Sequence, residues 1–153
     1  MFSKSFKAYG EVSDFLCKFS SRSINFGVYN YNIEVLENCV KLAPALKLNL
    51  QYNSGLSKIL CLFNEESNGF TEITIKFEML KSIKYILAVF LIVSLLLEVG
   101  IIFSLKGEIP VNMFVVLLPI IIGILGLLLV VFLYYSHSYH MYKKIKSYLE
   151  AAD

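Results

Sequence analysis

Two long apolar runs dominate the second half of the chain. The first covers residues 85–105 and contains one ionisable residue, Glu98, whereas the second covers 111–135 and contains none. Each has roughly the 20 residues that an α-helix needs to cross a ~30 Å hydrocarbon core. The pattern predicts two transmembrane helices, over 84–105 and 111–135, joined into a hairpin by a tight loop over 106–110.

The first 80 residues show two other periodicities. Aromatic and leucine residues recur at three- and four-residue intervals, or multiples of them, over 2–20, which predicts an amphipathic helix. From residue 25 onwards, apolar and polar side chains alternate with a period of two, which is typical of half-buried strands. A short helix is predicted from Leu36 to Leu42, before Pro44. The predicted strands cover 27–36, 46–53, 57–63 and 70–79.

These elements predict a membrane helical hairpin with a small N-terminal α+β domain over 1–80. That domain would combine an amphipathic helix with a four-stranded antiparallel meander, while residues 136–153 would form a helical tail. An all-α N-terminal segment is the alternative, because short apolar runs suit either structure. The junction over 79–84 is short, so we expect the domain to lie close to the membrane.

Lysines flank the predicted hairpin on its open side. Three precede the first span and three follow the second, whereas Lys106 is the one lysine of the loop and is offset by Glu108. By the positive-inside rule, both ends of the hairpin face the cytoplasm, or the matrix of a mitochondrion. We expect a bacterial plasma membrane or an organellar inner membrane, and no cleavable signal peptide. The flanking lysines are Lys76, Lys81, Lys84, Lys143, Lys144 and Lys146.

Composition excludes several classes of function. A net charge of +2 without a dense basic stripe argues against nucleic acid as a partner. The scattered Cys17, Cys39 and Cys61 predict reduced thiols rather than a disulfide framework or a zinc site. His137 and His140, three residues apart, are interpreted as an interfacial pair beside aromatic anchors rather than as metal ligands. Because no phosphate loop, catalytic triad or cofactor motif is present, neither an enzyme nor a cofactor is expected.

Glu98 is the strongest candidate for a specific interaction inside the spans, because an ionisable group at that depth is costly. In an antiparallel hairpin, Pro119 falls at a similar depth, and a proline leaves the carbonyl four residues earlier, that of Val115, without its usual donor. A protonated Glu98 would donate to that carbonyl and lock the hairpin, or it would contact another subunit. A proton relay and a snorkelling side chain are the alternatives. Gly123 and Gly126 permit close helix packing, within the hairpin or on a self-association face.

The function that these patterns favour is a non-enzymatic accessory subunit, or assembly anchor, of a larger membrane complex. Its expected partners are the lipid bilayer and other membrane subunits. A self-assembling pore or membrane-perturbing protein is the first alternative, and a membrane sensor with a small ligand-binding domain is the second. The five-residue loop is too short for a re-entrant pore segment, and the spans offer no polar pathway.

Overall fold

A computed structural model describes residues 2–20, 23–26, 29–45, 57–66, 69–104 and 113–151, without the side chains of 104 and 113–116. The chain divides into two compact units. We call Met1–Leu80 together with Tyr134–Asp153 the sheet unit, and Lys81–Leu133 the span unit. The elements are β1 (Phe2–Tyr9), α1 (Val12–Cys17), β2 (Ser23–Phe26), β3 (Tyr29–Leu36), β4 (Cys39–Pro44), β5 (Ser57–Glu65), β6 (Phe70–Met79), α2 (Lys81–Ser104) and α3 (Met113–Glu150).

The strands of the sheet unit form one antiparallel sheet in the order β1-β6-β5-β4-β3-β2. Strands β2 to β6 follow one another as a meander, and β1 returns to pair with β6, with Phe2 opposite Phe77 and Tyr9 opposite Phe70. The α+β class and the antiparallel sheet are therefore confirmed in outline. The described part of the sheet has six strands rather than the four predicted.

The amphipathic helix predicted over 2–20 is wrong for its first half. Residues 2–9 form β1, and the helix is confined to Val12–Cys17. Phe2, Phe6 and Ala8 are also spaced by even numbers, so the same residues line one face of a strand. Gly10, at φ 139°, then interrupts the chain between strand and helix. Hydrogen bonding to β6 therefore stabilises residues 2–9 as a strand, although their spacing also fits a helix.

The short helix predicted from Leu36 to Leu42 is also wrong. Leu36 pairs with Cys39 across a two-residue turn, and β4 begins at Cys39. Val40 and Leu42 alternate with polar neighbours and are fully buried, which is the strand pattern. An additional strand, β2, precedes the first predicted strand. The predicted strand over 46–53 and the predicted loop over 106–110 lie outside the described residues.

One face of the sheet, the inner face, carries the core of the sheet unit. Alternate residues of β4, β5 and β6 are fully buried there, and α1 contributes Val12 and Phe15. The C-terminal part of α3 completes the core, since four of its side chains, three or four residues apart or a multiple of that, belong to the same buried cluster. The tail predicted as a helix over 136–153 is thus the core helix of the sheet unit. These α3 residues are Tyr134, Met141, Ile145 and Leu149.

The span unit consists of α2 and the first part of α3. Both helices are long and apolar enough to cross a membrane, since the ranges Lys81–Phe103 and Leu117–Glu150 each contain an 18-residue window of mean hydropathy 2.9. Their side chains are mostly exposed, among them Leu96 and Leu125. The second range reaches past the span unit, which ends at Leu133. From Tyr134 onwards, α3 contributes four buried side chains to the core of the sheet unit, whereas Tyr135 and Tyr139 remain exposed.

Candidate functional site

The outer face of the sheet, opposite the core, carries a groove of about 420 Å³. Lys41, Leu60 and Lys76 are directly opposite one another on β4, β5 and β6, so two lysines flank one leucine. Glu34 extends this row on β3. In the neighbouring row Lys58 lies opposite Glu78. The groove is also lined by Asn32, Ile33, Leu42, Ala43 and Ile59.

The charges of the groove are exposed and only loosely paired. The Lys41 ammonium lies 3.8 Å from the Glu34 carboxylate, and both side chains are at least half exposed. Among the described residues, no ion pair closer than 4.0 Å involves Lys58 or Lys76. Exposed pairs of this kind contribute at most about 1 kcal/mol to folding. The groove thus offers three ammonium groups, two carboxylates and an apolar floor, a lining that suits the binding of a charged, partly apolar group.

His137 lies on the opposite face, inside the core, which corrects its interpretation as part of an interfacial pair. Its side chain is 8% exposed, its Nε2 lies 3.4 Å from the Tyr31 hydroxyl, and its ring packs edge-on against Tyr29 at 4.7 Å. His140 is exposed on another side of α3. Burial, helped by the positive field of His140, lowers the pKa of His137 to about 4. His137 is therefore neutral at physiological pH and belongs to the core.

Polar contacts fasten α3 to the sheet unit at both ends of its buried stretch. The Tyr134 hydroxyl donates to the carbonyl oxygen of Phe77 on β6 at 2.7 Å. At the other end, the Lys18 ammonium donates to the carbonyl of Ala151 at 2.6 Å, and the Tyr148 hydroxyl donates to the carbonyl of Lys18 at 2.6 Å. A cation at a helix C-terminus complements the helix dipole. These bonds hold the last four turns of α3 in a fixed register on the sheet.

Within the span unit, small residues of α3 meet α2. A Cβ atom at Gly123 would lie 3.1 Å from Ser94 Oγ, and one at Gly126 would lie 2.9 Å from Phe90 Cε1. The Ser94 hydroxyl donates to its own helix at the carbonyl of Phe90, at 2.9 Å, so no polar group is left over at this contact. Both candidate glycines therefore lie where α2 and α3 pack together.

Glu98 and Pro119 continue the same stripe. Glu98 follows Ser94 by four residues on α2, and Pro119 precedes Gly123 by four on α3, so each lies one helical turn from the Ser94–Gly123 contact on the same side of its helix. Both are half-buried, and Pro119 lies inside the helix. Among the described side chains, none forms a hydrogen bond or ion pair with Glu98. The hairpin lock stays a prediction, because no described contact tests the proposed bond from Glu98 to the carbonyl of Val115.

The cysteines and the described acidic and histidine residues form no metal centre. No group of three or more His, Cys, Asp or Glu side chains in the described ranges is placed to hold a metal ion. Cys17, Cys39 and Cys61 are free thiols, and burial raises the pKa of Cys61 to about 12. A thiol with such a pKa is not a nucleophile at neutral pH.

Two features of the site were not predicted from the sequence. The groove depends on which strands are neighbours, because its lysines come from segments 17 or more residues apart. The core role of α3 had a visible signal, the spacing of Tyr134, Met141, Ile145 and Leu149. That signal directly follows an apolar span, which hides the change from lipid to protein surroundings. Comparison with known protein families, with curated proteins and with solved structures finds no match.

Proposed function

We propose that this chain is a non-enzymatic accessory subunit of a membrane complex. In this proposal α2 and the first part of α3 anchor it as a hairpin, with both ends of the hairpin on the cytoplasmic or matrix side. The sheet unit binds a neighbouring subunit through the groove on its outer face. The groove carries the proposal, because it is a concave surface with an apolar floor that the chain's own described elements leave uncovered.

The composition of the spans supports anchoring rather than conduction. Between Tyr85 and Phe103, and between Leu117 and Leu133, Glu98 is the one ionisable residue. A water-filled pathway would need polar side chains along its length. The exposed large side chains of these two stretches are instead aliphatic or aromatic, which suits contact with lipid tails or with other apolar helices.

The charges of the groove define the partner segment that would fit it. Lys41 and Lys76 on either side of Leu60 favour an apolar side chain flanked by acidic residues. Glu34 and Glu78 at the margin of the groove would repel a uniformly acidic segment. They would therefore also favour one orientation of the bound segment. We therefore expect a partner with an acidic-apolar-acidic segment, seated across β4, β5 and β6.

Purification of the tagged full chain from the cells that make it, in a mild detergent, tests the proposal. We expect another membrane protein to co-purify in a fixed stoichiometry. A photo-crosslinker at Leu60 should capture that protein, whereas one at Tyr9, which is 79% exposed outside the groove, should not. Replacing Lys41→Gln and Lys76→Gln should lower the yield of the complex at least tenfold.

The matched control is the double variant Lys7→Gln and Lys146→Gln, which removes the same charge from the sheet unit outside the groove. It should leave the complex intact. Equal loss in both variants, or equal crosslinking at both positions, would contradict partner binding at the groove. A homo-oligomer that releases dye from liposomes would favour a pore instead, and a monomer that does neither would contradict both functions.

A membrane sensor is the second candidate, and the size of the groove favours it. A volume of about 420 Å³ is within the range that small-molecule sites occupy. Its three lysines would suit a small organic anion with an apolar body. Thermal stabilisation of the purified chain by such an anion, abolished by Lys58→Gln but not by Lys7→Gln, would support this function over subunit binding.

A further inference from the structure

Two lysines from distant parts of the chain converge on one exposed tyrosine of the sheet unit. The Lys4 ammonium, on β1, lies 4.7 Å from the centre of the Tyr139 ring, and the Lys143 ammonium, on α3, lies 4.8 Å from the same centre. Tyr142 adds a second ring, 5.4 Å from Lys4. We call Lys4, Tyr139, Tyr142 and Lys143 the lysine–tyrosine cluster.

The position of Lys4 is unusual for a strand residue. It belongs to the inner face of the sheet, directly opposite Ile75, yet β1 is an edge strand and the side chain remains exposed. Inward-pointing lysines on edge strands discourage pairing with another sheet, and this is one role for Lys4. That role does not require a second ammonium on the same ring, so Lys143 calls for a further explanation.

The cluster carries excess positive charge. Because both ammonium groups contact one ring, they lie about 10 Å apart or less, which is comparable to the Debye length in physiological salt. Among the described residues, no carboxylate lies within 4.0 Å of Lys4 or Lys143, whereas the nearby Lys146 pairs with Glu150. An anion close to both ammonium groups would relieve their repulsion, and the Tyr139 hydroxyl, which has no hydrogen-bond partner among the described residues, would donate to it.

We propose that the lysine–tyrosine cluster binds the phosphate of an anionic phospholipid headgroup. Tyr139 lies six residues after Leu133 on the same helix, α3, so the chain leads directly from the second span to the cluster. Lysine stems and tyrosine rings suit the boundary between acyl chains and headgroups, where one end is apolar and the other is charged. Each lysine near an anionic surface strengthens attachment several-fold. The proposal rests on membrane anchoring and is independent of a partner in the groove.

Native mass spectrometry of the purified full chain in detergent, with dioleoyl phosphatidylglycerol or dioleoyl phosphatidylcholine added at equal ratio, tests this site. We expect the chain to retain phosphatidylglycerol in preference. Replacing Lys4→Gln and Lys143→Gln should reduce that retention about tenfold. The control double variant, Lys7→Gln and Lys41→Gln, loses the same charge elsewhere on the sheet unit and should retain the lipid as the wild type does.

Three results would overturn the proposal: equal retention of both lipids, equal loss in both double variants, and displacement of the lipid by millimolar inorganic phosphate. The last would mean that the cluster takes free phosphate. If the double variant does not fold by circular dichroism, Lys143→Gln alone, at an exposed position, should still weaken retention several-fold. The groove variant Lys41→Gln with Lys76→Gln should leave lipid retention unchanged, which separates this site from the proposed partner site.

Discussion

The two parts of α3 show one helix in two different surroundings, exposed in the span unit and packed against the sheet in the sheet unit. In the span unit its apolar side chains are exposed, as at Leu129, which is 58% exposed, whereas in the sheet unit Ile145 is fully buried. The residue types are similar, but the first part is suited to lipid tails and the second packs on a sheet. The hydrophobic content of a helix thus indicates that it avoids water and does not indicate what it touches.

One helix, α3, contributes to both units of the chain. The described core of the sheet unit uses strands that alternate in polarity and a short helix, α1, of six residues. Neither would cover the inner face of a six-stranded sheet. By continuing the second long apolar helix for four more turns, the chain provides the missing layer without a separate element. Folding of the sheet unit then depends on a helix whose first half is apolar enough to cross a membrane.

The largest expected effect comes from shortening the same type of side chain in the two parts of α3. Ile145→Ala removes fully buried methyl groups and should lower the free energy of unfolding of the sheet unit by about 3 kcal/mol. Leu129→Ala should lower it by less than about 1 kcal/mol, because truncating an exposed side chain leaves no cavity in the protein interior. Urea titration in detergent, followed by tyrosine fluorescence, measures both.

Tyrosine fluorescence suits this measurement because nine of the ten tyrosines belong to the sheet unit, the exception being Tyr85. Far-ultraviolet circular dichroism would check that the span helices remain formed in both variants. Equal destabilisation by the two substitutions would contradict the division of α3 at Leu133. It would mean that the two parts of the helix pack against protein to the same extent.

A second, smaller effect should appear as a dependence of stability on pH. The pKa of His137 is about 4 in the folded chain and about 6.5 when the chain is unfolded. Between pH 4 and pH 6.5, His137 is therefore mostly protonated in the unfolded chain and mostly neutral in the folded chain. The free energy of unfolding should therefore have its full value above pH 6.5 and fall as the pH drops to 4. We expect a fall of about 2 kcal/mol, less than the full pKa shift implies, because solvent screens part of the effect.

Carboxylates titrate in the same range, so the difference between variants is the quantity to measure. His137→Gln should make the unfolding free energy less dependent on pH between 6.5 and 4, whereas His140→Gln, at an exposed position, should leave most of the dependence in place. An unchanged pH profile in His137→Gln would show that the His137 ring takes up its proton equally well in both states.

Segments governed by one physical rule have the predicted structure, whereas segments where two rules compete do not. The apolar runs exceed what a small soluble domain can bury, and β6 alternates over its whole length, so both were predicted. Over residues 2–9, the spacing of Phe2 and Phe6 fits a helix as well as a strand. The choice was made by pairing with β6, a contact about 70 residues away along the chain.

The candidate sites divide in the same way. Glu98, Pro119, Gly123 and Gly126 are visible in the sequence, because a charge, a proline or a glycine is rare in an apolar run. The groove and the lysine–tyrosine cluster bring together ordinary surface residues such as Lys4 and Lys143, which no local pattern connects. They emerge from the register of the sheet and from the docking of α3, both of which depend on tertiary structure.

The smallest expected effect contrasts two glycines of the span unit. Alanine is favoured over glycine in a helix by about 1 kcal/mol, so Gly100→Ala, where no described atom lies within 4 Å of the new Cβ, should stabilise the hairpin by up to that amount. Gly126→Ala brings the same advantage but places a Cβ 2.9 Å from the Phe90 ring, which must move. Unfolding of the helices in sodium dodecyl sulfate, followed at 222 nm, should therefore place Gly126→Ala about 1 kcal/mol below Gly100→Ala. Equal stabilisation would mean that α2 and α3 do not pack tightly at Gly126.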